Sequence, residues 1–96
     1  MRNYEIMYIV RPTLGENEIM QVVKTFESII KNNDANIIGS RDVGQRELAY
    51  EIKKFNSGYY FVLEIEAKDD KAIKEFDRLA LINQDIIRHL ITKLEK

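Results

Sequence analysis

Apolar and polar positions alternate from the start of this chain. Tyr4, Ile6, Tyr8 and Val10 share one parity, and Asn3, Glu5, Met7 and Ile9 share the other. A period of two is that of a strand with one face in a core. Met7 and Ile9 make the second face apolar too, which argues for a central strand or a covered face. Pro12 ends the run. Thr13 and Glu16 have capping-box spacing, which predicts a helix from Leu14 or Gly15. Its stripe is Ile19, Val22, Val23, Phe26, Ile29 and Ile30, closed by Asn32-Asn33-Asp34.

Residues 35–52 are again β-rich, interrupted at Gly44, where glycine marks a bulge or bend. Leu48, Tyr50 and Ile52 recur at every second position, and Tyr4 and Tyr50 share the parity of the apolar residues around them, so both are expected in the core. Asn56-Ser57-Gly58 has turn chemistry. Residues 59–67 form the next strand, with Phe61, Leu63 and Ile65 on one face. Asp69 or Asp70 can cap a second helix whose stripe is Ile73, Phe76, Leu79 and Ala80. Asn83-Gln84-Asp85 breaks it, and residues 86–93 make a last strand.

The order β-α-β-β-α-β is that of two split units forming a ferredoxin-like α+β fold, a four-stranded antiparallel sheet with both helices on one face. Right-handed crossovers put the first and third strands in the centre and the second at an edge. The sheet face away from the helices is then open. Met7, Ile9, Tyr60 and Val62 are expected there, with Glu5 and Glu64 nearby, and an exposed apolar strip of this kind is a contact surface for a protein neighbour.

Composition narrows the field. Ninety-six residues with 45% apolar content are expected to form one domain with its own core. Without cysteine there is no disulfide, thiolate metal site or cysteine nucleophile. The start lacks a signal-peptide core and no run approaches membrane-spanning length, so a cytoplasmic protein is expected. A net charge of −1 counts against gripping nucleic acid by bulk charge; any basic surface must be local or supplied by a partner.

The residues from Val43 to Tyr60 carry the most specific chemistry, with Arg46, Lys53 and Lys54 set among aromatics along one edge. Arg2, Arg46, Lys54, Arg88 and Lys93 are the candidates for RNA contact. Arginine matches phosphate oxygens in a fork, and lysine acts as a point charge. Tyr60 is the better placed of the tyrosines for surface contact. The sheet lacks the aromatic consensus of an RNA-recognition motif, so single-stranded bases are not expected to stack on it.

Several stretches together resemble the bacterial small-subunit ribosomal protein six family. They are the opening Met-Arg-Asn-Tyr-Glu-Ile, Pro12 after the first strand, Gly44-Gln-Arg-Glu-Leu-Ala-Tyr-Glu-Ile-Lys-Lys, Gly58-Tyr-Tyr, and the ending from Asn83 through Ile87-Arg88-His89-Leu90 to Lys93. The resemblance runs through nearly the whole chain in order. It implies the ferredoxin-like fold, no catalytic role, and binding to the central domain of small-subunit ribosomal RNA together with the basic small-subunit protein eighteen, on the ribosome in the cytoplasm. Glu47 after Arg46 and Glu51 after Tyr50 make the edge strand more acidic than the family pattern. The chain stops at Leu94-Glu95-Lys96, so the long acidic tail of some relatives, and its modification by added glutamates, is not expected.

Other chemistry is poorly supported. His89 is the only histidine and is expected to be packed or capped, and a lone imidazole without cysteine does not build a structural zinc site. No metal, cofactor or small-molecule substrate is implied. The glycines form no phosphate-cradling loop and the serines no nucleophile elbow. Two rival readings keep the same fold. One is a small phosphatase using Arg11 after the first strand, although Pro12 removes a backbone donor there. The other is a self-associating regulatory module that pairs copies through the edge strand or open face.

Overall fold

A computed structural model describes residues 2–94. The elements are β1 (Arg2–Val10), α1 (Glu16–Asn32), β2 (Ala35–Ile52), β3 (Phe55–Ala67), α2 (Lys71–Ile82) and β4 (Ile86–Leu94). The strands form one antiparallel sheet in the order β2-β3-β1-β4, so β1 and β3 are central, as the crossover rule requires. This is the ferredoxin-like architecture predicted from the element order. Among the described residues, no helix is long and apolar enough to cross a membrane.

The core lies between the sheet and the helices. Tyr4, Ile6, Tyr8 and Val10 of β1 face it beside Phe61, Leu63 and Ile65 of β3. α1 adds Ile19, Val22, Phe26 and Ile30, and α2 adds Ala72, Phe76 and Ala80. Each large side chain buried here contributes about 1.5–3 kcal/mol. Tyr8 sits among three phenylalanines, 6.0 Å from Phe26, 5.5 Å from Phe61 and 5.8 Å from Phe76 between ring centroids. Its hydroxyl is buried without a hydrogen-bond partner among the described residues. Burial, aided by the charges of Glu27 and Asp42, pushes the Tyr8 phenol well above its ordinary range.

Helix boundaries follow local chemistry, with one correction. Thr13 does not cap α1. Its hydroxyl accepts a hydrogen bond from Arg11 Nη1 at 2.6 Å, and the helix starts later, at Glu16, with Gly15 as an N-cap that has no side-chain bond. α1 stops where expected. Asn33 donates its side-chain amide to the Ile29 carbonyl, and Asp34 takes a left-handed φ of 63°. At α2 the Asp69 carboxylate accepts from the Lys71 N–H at 3.0 Å.

The β2–β3 connection differs most from the sequence expectation. The turn is not at Asn56-Ser57-Gly58 but at Lys53-Lys54, both with left-handed φ, closing a two-residue hairpin between the paired Ile52 and Phe55. Gly58 instead serves the strand. A Cβ there would sit 2.3 Å from Ile9 Cγ2 and 3.0 Å from the Val10 carbonyl, so only glycine lets β3 pass this close. β2 and β3 therefore run on past the end of β1 as a two-stranded arm. Gly44, at φ 90°, marks a register shift in β2 before the arm begins, as the glycine in the pattern suggested.

Candidate nucleic-acid and partner interface

Cross-strand pairing arranges the open face in ranks, because directly opposed residues share a face. One rank is Thr92, Glu5, Glu64 and Gly39; the next is Leu90, Met7, Val62 and Arg41; the next is Arg88, Ile9, Tyr60 and Gly44. One half of the face is thus acidic and the other apolar. Glu5 and Glu64 are direct neighbours of like charge, an arrangement that costs stability. Ion pairs of the described residues join Arg11, Lys71, Lys74 and Arg78 to other acids, and none reaches Glu5 or Glu64.

The four residues expected to form an exposed apolar strip all lie on this face, but two are not exposed. Ile9 is 3% accessible and Val62 7%, whereas Met7 and Tyr60 are half-buried. Ile9 is packed under the backbone of Gly58. The arm supplies further cover. Leu48, Tyr50 and Ile52 line an apolar groove on one side, and Met7, Ile9, Tyr60 and Leu90 line it on the other. Its volume is about 190 Å³, below the ~300–1,000 Å³ usual for small-molecule sites and suited to a protein side chain.

Tyr50 is therefore not a core residue. It is 62% exposed at the groove rim, and its hydroxyl accepts a hydrogen bond from Arg88 Nη1 at 2.6 Å. The alternation of Leu48, Tyr50 and Ile52 was read correctly as one apolar face, but the arm carries that face past the helices. Leu90, 53% exposed beside Met7, is a groove residue that the sequence reading missed. Its signal was the parity it shares with Arg88 and Thr92 on β4. Lys53, named in the sequence with Arg46 and Lys54, lies beside Lys54 in the turn itself, a place that Lys-Lys does not signal.

All five candidate RNA-contacting residues are exposed, but they do not form one patch. Lys93 pairs with Tyr4, near Arg2, at the end of the sheet where β1 begins. Arg88 pairs with Ile9 and Arg46 with Gly58 at the other end, and Lys54 caps the arm beyond them. Five residue steps along β1, from Tyr4 to Ile9, separate the two poles, about 17 Å of strand. The poles flank the acidic and apolar face, whose middle carries a further exposed cation, Arg41 opposite Val62.

The remaining candidates are structural. Arg11 Nε donates to Asp85 Oδ1 at 2.8 Å, and the Arg11 N–H donates to the Asp85 carbonyl at 2.9 Å. The guanidinium thus ties the exit of β1 to the α2–β4 turn and is not free for an anion. His89 is packed against Phe76, with Nε2 2.7 Å from Asp77 Oδ1 on α2. Among the described residues, no group of three His, Cys, Asp or Glu side chains is arranged to hold a metal ion.

The family model for ribosomal protein S6 matches residues 3–93. The chain belongs to the ribosomal protein S6 family. It is similar to the crystal structure of 30S ribosomal protein S6 from Thermotoga maritima, with 31% identity and a TM-score of 0.92 over 97% of this chain and 87% of that one. A putative amidohydrolase/peptidase from Burkholderia cenocepacia shares 15% identity at a TM-score of 0.40, over 98% of this chain and 27% of that one, and bears on neither fold nor function. The family is a structural component of the small ribosomal subunit and not an enzyme. The phosphatase reading therefore fails twice, on family and on the engaged Arg11.

Proposed function

We propose that this chain binds the central domain of small-subunit ribosomal RNA together with small-subunit ribosomal protein eighteen during assembly, on the ribosome in the cytoplasm. The observation that carries the reading is the division of the surface within a ribosomal protein S6 family member. Exposed cations stand at both ends of the sheet, and an acidic and apolar face lies between them. Carboxylates repel phosphate, so Glu5 and Glu64 make the open face a poor RNA surface and a good one for a basic protein. The apolar groove beside them accepts a side chain of the same partner. Arg2 and Lys93 at one pole, and Arg46, Lys54 and Arg88 at the other, contact phosphates and set the orientation on folded RNA. Met7 and Tyr60 meet the partner protein, with Ile9 and Val62 as the buried floor. Two modest surfaces used at once gain from effective concentration.

A salt titration of binding to a central-domain RNA fragment, with and without the partner protein, tests this. Tight and salt-sensitive binding that requires the partner is expected. Arg46→Ala should then lower the salt slope by about one contact. Absence of binding in both arms overturns the reading, and a stable micromolar dimer indifferent to RNA and partner supports the self-associating module instead.

A further inference from the structure

Five positions separate Arg41 from Arg46, so in an unbroken strand the two would point to opposite faces of the sheet. They share a face instead. The register of β2 shifts between Asp42 and Gly44, with Val43 outside the ladder, and this one-residue bulge reverses the parity beyond it. Arg41 stands opposite Val62, Gly44 opposite Tyr60 and Arg46 opposite Gly58, all on the open face. Asp42 and Glu47, opposite Phe61 and Ser57, fall on the helix side. Residues 41–47 hold two cations and two carboxylates, which cancel in the sequence and are sorted by face in the fold. The bulge is pinned. Gly44 takes φ 90° and donates its N–H to Asp42 Oδ1 at 2.9 Å.

Both arginines are exposed. Among the described residues neither has an ion-pair or side-chain hydrogen-bond partner, whereas the guanidiniums of Arg11, Arg78 and Arg88 are each engaged. Glu64 lines the same shallow hollow as Arg41 without bridging to it. Between the two arginines lies Gly44, where a Cβ would meet nothing within 4 Å, so the strand surface there is open to an approaching backbone. Four residues of β3, from Val62 to Gly58, set the pair apart by ~14 Å.

We propose that the bulge at Val43 re-aims Arg41 to make, with Arg46, a two-fork phosphate site along the edge strand, taken by the backbone of one RNA strand. This rests on the RNA-binding reading above and adds to it Arg41, a contact that the two poles leave out. A guanidinium without an internal partner gives up only weakly held water when it takes a phosphate. Each fork fixes a separate point of the strand, which sets its direction along β2. Asp42 and Glu47 are turned away from that strand, so the acidic residue beside Arg46 does not oppose it.

In the salt titration with central-domain RNA and partner, Arg41→Gln should lower the slope by about one contact, and Arg41→Gln with Arg46→Ala by about two. Lys24→Gln removes the same charge from the exposed side of α1 and should leave the slope unchanged. A slope unmoved by Arg41→Gln, or lowered equally by Lys24→Gln, overturns the site. Loss of partner binding without RNA on Arg41→Gln gives Arg41 to a partner carboxylate and also overturns it. A second measurement needs neither RNA nor partner. With short-chain inorganic polyphosphate as the probe, the Nε–H NMR signals of Arg41 and Arg46 should shift together with one midpoint, and Arg41→Gln should weaken the Arg46 response severalfold. An Arg41 signal that stays still overturns the site. An unaltered chain that binds RNA with its partner while Arg41 is silent removes this site alone, whereas failure of the unaltered chain to bind removes the ribosomal pairing.

Discussion

Tyr8→Phe should make this protein more stable. The Tyr8 ring is fully buried, and its hydroxyl reaches no partner among the described residues. An unsatisfied buried hydroxyl costs about 1–3 kcal/mol relative to the hydrated state. Removing the oxygen leaves a gap of one atom, whose lost dispersion contacts cost under ~1 kcal/mol. The aromatic contacts with Phe26, Phe61 and Phe76 remain. The net gain is about 1 kcal/mol, which corresponds to roughly 4–8 °C in Tm for a domain of this size. In urea, with a slope of about 2 kcal/mol/M, the midpoint should rise by about 0.5 M at unchanged slope. The pH dependence adds a second check. Burial keeps the folded phenol neutral, while the unfolded chain ionises it near pH ~10. Stability contributed by this group is therefore intact below pH ~10 and is lost as pH rises above it. Tyr8→Phe should flatten that part of the alkaline limb. A midpoint lowered by 0.5 M or so would refute the reasoning, because it would mean that the hydroxyl is satisfied.

Three further outcomes follow from the same packing. Gly58→Ala should cost about 1–3 kcal/mol, read as a lower urea midpoint, because the new Cβ collides with Ile9 and the β1 backbone. Lys53→Asn with Lys54→Gly should stabilise the hairpin by about 1 kcal/mol in a thermal melt, since both positions require left-handed φ; the same variant should lower the salt slope of RNA binding by about one contact through the loss of Lys54. Arg11→Ala should lower stability by about 1 kcal/mol, as the half-exposed bridge to Asp85 is lost, with no change in any anion affinity.

The helix-facing half of the molecule was legible because its signals are local. The parity of Tyr4, Ile6, Tyr8 and Val10, and the stripes through Phe26 and Phe76, select one face whatever lies across from it. The arm was illegible for the opposite reason. Lys53-Lys54 has no turn propensity, and its backbone is dictated by the pairing of Ile52 with Phe55. Asn56-Ser57-Gly58 has strong turn propensity, yet Gly58 is there for its close approach to Ile9, a partner far away in the sequence. The open face was half legible. Alternation put Ile9 and Val62 on it correctly, but their burial depends on the path of the arm. The five cations were legible as residues, and their division between two poles became visible only through the strand register.

The pairing of β1 with β4 sets the timing of folding during synthesis. β1 is the first element made and β4 the last, and Asn3 pairs with Leu94. β1 lies in the middle of the sheet, with β3 on its other side. A nascent chain can close the β2–β3 hairpin early and can dock β1 beside β3, but the other edge of β1 stays unpaired until β4 has been made. Contacts of such long sequence separation fold slowly. The β4-facing edge of β1 is thus open for as long as β4 is missing, and a chain cut before β4 would present that edge for pairing with a foreign strand.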